Sequence, residues 1–169
     1  MYFDFIKHSE CSKNILEEIC QLKSQYWHYP LQEQLNWINI NLSKEDIHLI
    51  LKENENEHII AYLNISKGKF QIDNSEEKVF FGIGNVCVDK NNQKKEFGFL
   101  IMKIAEFYIR KNKGIGLLLC KEENILFYKK NNWTLFEGNI IICNKLFDDY
   151  LFYYNTQIIG NCIVLNKVF

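Results

Sequence analysis

The chain has 169 residues, 47% hydrophobic and 24% charged, with a formal net charge of −1 at pH 7. That is one domain's worth of sequence, enough to bury a core, and its near-neutral charge excludes a general pull toward nucleic acid or an anionic membrane surface, so any anion site must be local. No apolar run approaches the ~20 residues that span a bilayer, and the opening MYFDFIKHSE lacks the basic region and apolar stretch of a signal peptide, so a cytoplasmic protein is expected.

Residues 1–6 read as a first strand. Residues 14–26 carry Ile15, Ile19 and Leu22 at helical spacing, beside Leu16 and Cys20, which predicts a helix with one buried face. Pro30, the single proline, suits the first turn of a second helix reaching about residue 41. Leu31, Leu35, Ile38 and Leu42 form its apolar stripe. Residues 47–52 and 58–66 read as an antiparallel hairpin with a turn at 53–56, and residues 70–72 extend its second strand. Residues 80–88, FFGIGNVCV, are a nearly unbroken apolar run, the signature of a strand buried on both faces and central in a sheet. Gly82 and Gly84 mark a place where that strand bends or admits a ligand, a bulge without a ligand being the other reading.

The next residues, DKNNQKK, predict a loop. From residue 96 the period changes to that of a helix, with Phe97, Leu100, Ile101, Ile104, Ala105, Tyr108 and Ile109 on one stripe and Gly114 as its stop signal. Residues 116–120 are a short apolar strand, expected to return parallel to residues 80–88 by a right-handed crossover. Residues 122–131 predict a short helix and 133–137 a strand. The apolar tail from residue 139 contains NIIICNKLF, YLFYYN and CIVLNKVF, expected as antiparallel strands closing the sheet. The fold class is therefore mixed α/β over residues 1–169, with antiparallel N-terminal strands before a parallel pair. The six cysteines have no C-x-x-C spacing and mostly sit in apolar runs, which argues for buried free thiols and against a metal site.

The loop entering the helix, Gln93-Lys94-Lys95-Glu96-Phe97-Gly98, places backbone N–H groups and two ammonium groups at a positive helix terminus, a setting that suits phosphate or pyrophosphate. With its strand this segment, VCVDKNNQKKEFG, resembles the acetyl-coenzyme A signature of the GNAT superfamily of N-acetyltransferases, V-x-V, four residues, then Q/R-x-x-G-x-G/A. Gln93 and Gly98 match the first and last marked positions, while Glu96 stands where the first glycine belongs. Further on, ENILFYKKNNW resembles the family's second motif, an aromatic-Tyr pair followed by a polar stretch and an aromatic residue.

The resemblance implies a GNAT-like fold with helices on both faces of the sheet and a parallel pair splayed around an acetyl-CoA cleft. It implies that Val86, Cys87 and Val88 give the cofactor main-chain contacts, with the Val86 N–H near the thioester carbonyl, and that Gln93, Lys94, Lys95, Glu96, Phe97, Gly98 and Phe99 wrap the pyrophosphate. Tyr128 matches the family's general acid toward the leaving thiolate, a role suited to a phenol of ordinary pKa about 10. Lys121 and Asn124 are further cofactor candidates. The family's acceptor pocket draws attention to the aromatic cluster Tyr26, Trp27, His28 and Tyr29, and to Asn85. His28, His48, His58 and Glu123 are candidate bases, a water relay being the alternative.

The expected activity is transfer of acetyl from acetyl-CoA to a primary amine of a small molecule, an amino sugar for example, in a ternary complex and without metal. A GNAT-fold acyl-CoA-binding or regulatory module without turnover is the alternative, and Glu96 is what motivates it. Its carboxylate is expected to turn to solvent, away from the anion. The aromatic tail at residues 150–154 is expected to offer a dimer contact; neither nucleic acid nor membrane is an expected partner.

Overall fold

The apolar run at the centre of the sequence becomes an eleven-residue strand, and its neighbours follow from it in the computed structural model, which describes residues 1–55 and 57–169. The turn expected at 53–56 includes Asn56, which lies outside the described residues. The chain divides into two compact units, Met1–Ser66 with Gly84–Ala105, and Lys67–Ile83 with Glu106–Phe169.

In the first unit, β1 (Tyr2–Lys7) pairs antiparallel with β2 (Ile47–Lys52), and β2 pairs antiparallel with the first half of β3 (Ile59–Ile72), from Ile47↔Ile65 to Lys52↔Ile59. Helix α1 (Lys13–Ser24) starts at Ser12, whose hydroxyl accepts the Ile15 N–H at 3.3 Å and so satisfies one of the amides a helix start leaves unpaired. Helix α2 (Leu31–Asn41) begins directly after Pro30. Ile19 and Leu22 from α1 and Ile38 from α2 meet Ile50, Ile59, Tyr62 and Cys87 in one core. Burying each such side chain is worth about 1.5–3 kcal/mol. The stripe expected on α2 holds at Leu35, Ile38 and Leu42, while Leu31 is exposed and Gln34 is buried beside it. Glu18 fastens α1 to the start of β3, its carboxylate accepting the Ile59 N–H at 2.6 Å.

In the second unit, the Phe81–Ile83 portion of β4 (Lys78–Val88) pairs parallel with Gly116–Leu118 of β5 (Gly116–Cys120). This is the predicted βαβ arrangement, the connection being α3 (Phe97–Lys111). After a 3-10 turn at Glu122–Asn124 comes α4 (Ile125–Lys130), then β6 (Thr134–Leu135), β7 (Asn139–Ile142), β8 (Lys145–Phe147), β9 (Tyr150–Tyr154) and β10 (Cys162–Leu165). The pairings of β7 with β8 and of β9 with both β5 and β6 are antiparallel, as expected of the tail. The exception is β10, which runs parallel to β7 and antiparallel to β3. Residues 143–161 intervene between β7 and β10, and a connection of that length permits a parallel return.

Two glycines do something other than the sequence suggests. Gly114 is not left-handed; Lys113 takes that conformation at φ 50°, and the Gly114 N–H closes the end of α3 on the Ile109 carbonyl at 2.9 Å. A Cβ at Gly114 would strike the Phe81 ring, so packing fixes its identity. Gly82 likewise makes room for the Phe169 ring, and the left-handed residue in β4 is Asn85, at φ 53°. All six cysteines are free thiols; Cys20, Cys87 and Cys120 are buried, whereas Cys143 is exposed. The segment read as a dimer contact buries Leu151 and Phe152 completely within this unit. Among the described residues, no helix is long and apolar enough to cross a membrane.

Candidate functional site

The loop between β4 and α3 is gripped by the last residues of α1. The Gln25 amide donates to Asp89 and accepts the Lys90 N–H, both at 2.8 Å. The Tyr26 hydroxyl accepts from the Gln93 amide at 2.6 Å and donates to the Val88 carbonyl. Donation from Gln25, helped by Asn91 and Asn92, holds the Asp89 carboxyl below its ordinary pKa, so the clamp includes a fixed charge. Gln93, the first residue of the signature, thus holds the loop in place through its side chain.

Beyond the clamp, Lys94 and Glu96 are both left-handed, at φ 63° and 64°. Turns of this kind aim successive N–H groups into a concave, anion-accepting surface. Gln93, Lys94, Lys95 and Glu96 are exposed, and the Lys95 ammonium rests on Asn92 at 3.0 Å. The Glu96 carbonyl accepts the Leu100 N–H, opening the helix. Left-handed backbone costs a residue with a Cβ about 1–2 kcal/mol, whereas glycine adopts it freely. Glu96 stands at the signature's first glycine, so the conformation explains the motif and makes Glu96 the strained substitute. Glu96→Gly is therefore expected to raise the unfolding free energy by up to about 1 kcal/mol, or about 2–4 °C in Tm. Thermal unfolding checks this; a variant that melts lower would end the strain explanation.

Where α1 ends and α2 begins, a cavity of about 380 Å³ opens, lined by Lys23, Trp27, Tyr29, Glu33, Gln34, Trp37 and, from β4, Asn85. Lys23 is only 4% exposed, and its ammonium lies 4.7 Å from the Trp37 ring centre and 6.0 Å from that of Trp27. Cation–π attraction returns about 0.5–2 kcal/mol per ring. No carboxylate pairs with Lys23 among the described residues, and burial lowers its pKa. Gln34, also 4% exposed, donates to the carbonyls of Trp27 and Tyr29 at 3.2 and 3.1 Å, which fixes the α1–α2 connection. Its Oε1 has no partner among the described residues. Asn85 donates to the buried Asn64 at 2.6 Å, and the Asn64 amide nitrogen and the Ser66 hydroxyl are unpartnered there as well. Buried polar atoms left open cost about 1–3 kcal/mol each unless water or a ligand meets them.

Of the acceptor residues expected from sequence, Trp27, Tyr29 and Asn85 come together here, while His28 is exposed and does not line the cavity. Lys23, Glu33, Gln34 and Trp37 belong to no motif. The available signal was Lys23 itself, a charge four residues after Ile19 on the apolar face of α1. His48, one of the candidate bases, lies on β2. It is fully buried between Tyr62 and His8, at 2.9 and 3.1 Å, and burial together with the nearby His8 and Lys23 pushes its pKa down to about 4. His58 is exposed beside Glu18.

In the second unit, Tyr128 on α4 is 7% exposed and packs on the rings of Phe127 and Phe152. Burial, reinforced by the neighbouring Cys120, pushes its phenol pKa well up, and burial pushes the Cys120 thiol up to about 12. Both groups stay protonated at neutral pH. Lys121 is paired with Asp149, and Asn124 is exposed and makes no capping bond through its side chain. Val86 and Val88 are half-buried and Cys87 buried. Among the described residues, no group of three His, Cys, Asp or Glu side chains could hold a metal ion.

The sequence matches no protein-family model and no curated protein. The structure is similar to Escherichia coli ElaA, with a TM-score of 0.64 and 17% identity over 90% of this chain and 99% of that one. It is similar to an aminoglycoside 6′-N-acetyltransferase complexed with coenzyme A, with a TM-score of 0.64 and 11% identity over 90% and 94% of the two chains. Arabidopsis thaliana NAA60 in complex with a bisubstrate analogue is similar at a TM-score of 0.59 and 16% identity, over 90% and 97%. These are GNAT N-acetyltransferases, and the chain has the GNAT fold.

Proposed function

We propose that this protein is an acyl-CoA-dependent N-acetyltransferase, its whole chain one acetyltransferase domain, acting on the primary amine of a small molecule in a ternary complex. An amino sugar is one such amine. The observation that carries the reading is the left-handed Glu96 in the loop entering α3, the conformation the signature's glycine permits, kept here although the glycine is gone. Acetyl-CoA supplies the activated acetyl group. Lys94 and Lys95, with the main chain of residues 96–99 at the start of α3, suit its phosphates. Val86–Val88 offer main-chain groups along β4, and the Val86 N–H is assigned to the oxygen that gains charge as the amine attacks. Tyr128 holds a proton for the departing sulfur. Lys121, already paired with Asp149, and Asn124 are left with cofactor contacts at most. His48 is buried and engaged, His28 does not line the cavity and His58 stands beside Glu18, so deprotonation of the amine is assigned to a water relay, the exposed Glu123 being the remaining candidate base.

Acetyl-CoA at a hundred times its Kd is expected to stabilise the protein by about 2.7 kcal/mol, read as a rise in Tm. Reversing both Lys94 and Lys95 to Glu should weaken binding at least about tenfold at low salt, with the deficit shrinking as salt is added. Calorimetry without binding at millimolar acetyl-CoA, or a double reversal that changes neither affinity nor its salt dependence, would remove the phosphate assignment. The second reading, a binding module without turnover, is favoured by Glu96 itself, since a carboxylate beside an anion site costs affinity. Thiol release across a panel of amines separates the two: binding without release on any amine selects the module.

A further inference from the structure

The cavity by α1 and α2 contains more polarity than an apolar lid requires. Lys23 brings a buried ammonium that no protein carboxylate meets among the described residues, and Gln34 brings a buried carbonyl oxygen that no protein donor meets. The two residues line the same space, together with Trp27 and Trp37, each 37% exposed. We infer that the acceptor held here carries a carboxylate alongside its amine, as an amino acid does, with the carboxylate on Lys23, the apolar portion against Trp27 and Trp37, and the N–H donors toward the Gln34 oxygen and Glu33.

This rests on the cavity being the acceptor pocket of the transferase reading. A polycationic amine would set its charge against Lys23, and charge repulsion in a partly desolvated site is severe. A phosphate ester would bring two negative charges to a cavity with one cation and no arginine, so a monoanion with an apolar body is the better match. The rings beside the ammonium hold it in place while it waits unpaired, so the carboxylate meets a group already ordered.

The test measures binding without acetyl-CoA, by calorimetry or by quenching of tryptophan fluorescence, and measures thiol release separately. The probes are L-phenylalanine, L-leucine and L-glutamine, their amides, phenethylamine, a polyamine and an amino-sugar phosphate. At least one free amino acid is expected to bind about tenfold or more tightly than its amide and than phenethylamine, a difference of about 1.4 kcal/mol. Lys23→Met should abolish that preference while Lys23→Arg keeps part of it. If Lys23→Met fails to fold, the amino acid to amide ratio of the wild type decides alone. Amides, the polyamine or the amino-sugar phosphate binding as tightly as the free amino acids, or no amino acid binding at about 10 mM, a weakness beyond the ordinary range for small substrates, would overturn the inference. Carboxylate preference without thiol release would leave it standing and count against the transferase. Thiol release on amines irrespective of a carboxylate would do the reverse.

Discussion

Replacing Tyr128 with Phe is expected to lower kcat by about 10²-fold or more while leaving acetyl-CoA affinity within about twofold. The ring itself is not at risk. It is buried against Phe127 and Phe152, and phenylalanine keeps both contacts, so the variant should fold and melt close to the wild type. Only the hydroxyl is lost. Burial raises its pKa well above the ordinary phenol value, which keeps the proton in place at neutral pH and makes its release depend on a strong acceptor nearby. A sulfur leaving with its electron pair is such an acceptor in the transition state and is not one in the bound thioester. A group of this kind stabilises the transition state and not the ground state, so its removal should appear in kcat and be nearly absent from the dissociation constant. Pre-steady-state thiol release together with calorimetric affinity decides the matter. Unchanged kcat returns Tyr128 to the core, and an equal loss in both quantities makes it a positioning residue.

The parts of this molecule that were legible in its sequence are those where periodicity and backbone conformation agree. Residues 116–120 carry one apolar run and one buried strand, and 47–52 likewise. The loop at 93–96 was legible as a motif before its conformation was known, and φ 64° at Glu96 supplies the physical reason for the glycine that the motif expects. The acceptor cavity was legible only in part. Aromatic side chains at 26–29 announce themselves, but Lys23 shows only as a charge at apolar-face spacing on α1, which does not tell what surrounds it. Its burial depends on Trp37, which is distant in sequence and not on the stripe expected to face the core. Gln34 is buried on α2 where its amide ties down two carbonyls of the preceding turn, a use no hydrophobic period can report. Gly82 and Gly114 carried the right signal for the wrong cause. Each admits a phenylalanine ring, from Phe169 and Phe81, that arrives from elsewhere in the chain.

Acid should destabilise this protein through His48 by about 3 kcal/mol between roughly pH 6.5 and pH 4, the shift converted at 1.36 kcal/mol per unit. His48 is fully buried on β2, with Tyr62 at one ring nitrogen and His8 at the other. With His48 neutral, one proton on each link satisfies both contacts, for instance Tyr62 O–H donating to Nδ1 and Nε2–H donating to His8. A second ring proton would have to point at a donor or displace one, in a site that burial and the charges of His8 and Lys23 make unfavourable for a cation, Asp46 opposing them weakly. The folded state therefore keeps His48 neutral down to about pH 4, whereas the unfolded chain protonates it near 6.5. In that window the unfolded state binds the extra proton, so the contribution is whole above about pH 6.5, declines as the pH falls, and is gone below about pH 4. Denaturant unfolding at half-unit pH steps should show this slope, and His48→Gln, which keeps a donor and an acceptor but does not titrate, should flatten it even though the variant starts less stable. An unchanged slope in that variant would move the acid sensitivity to the carboxylates and leave His48 an ordinary member of the core.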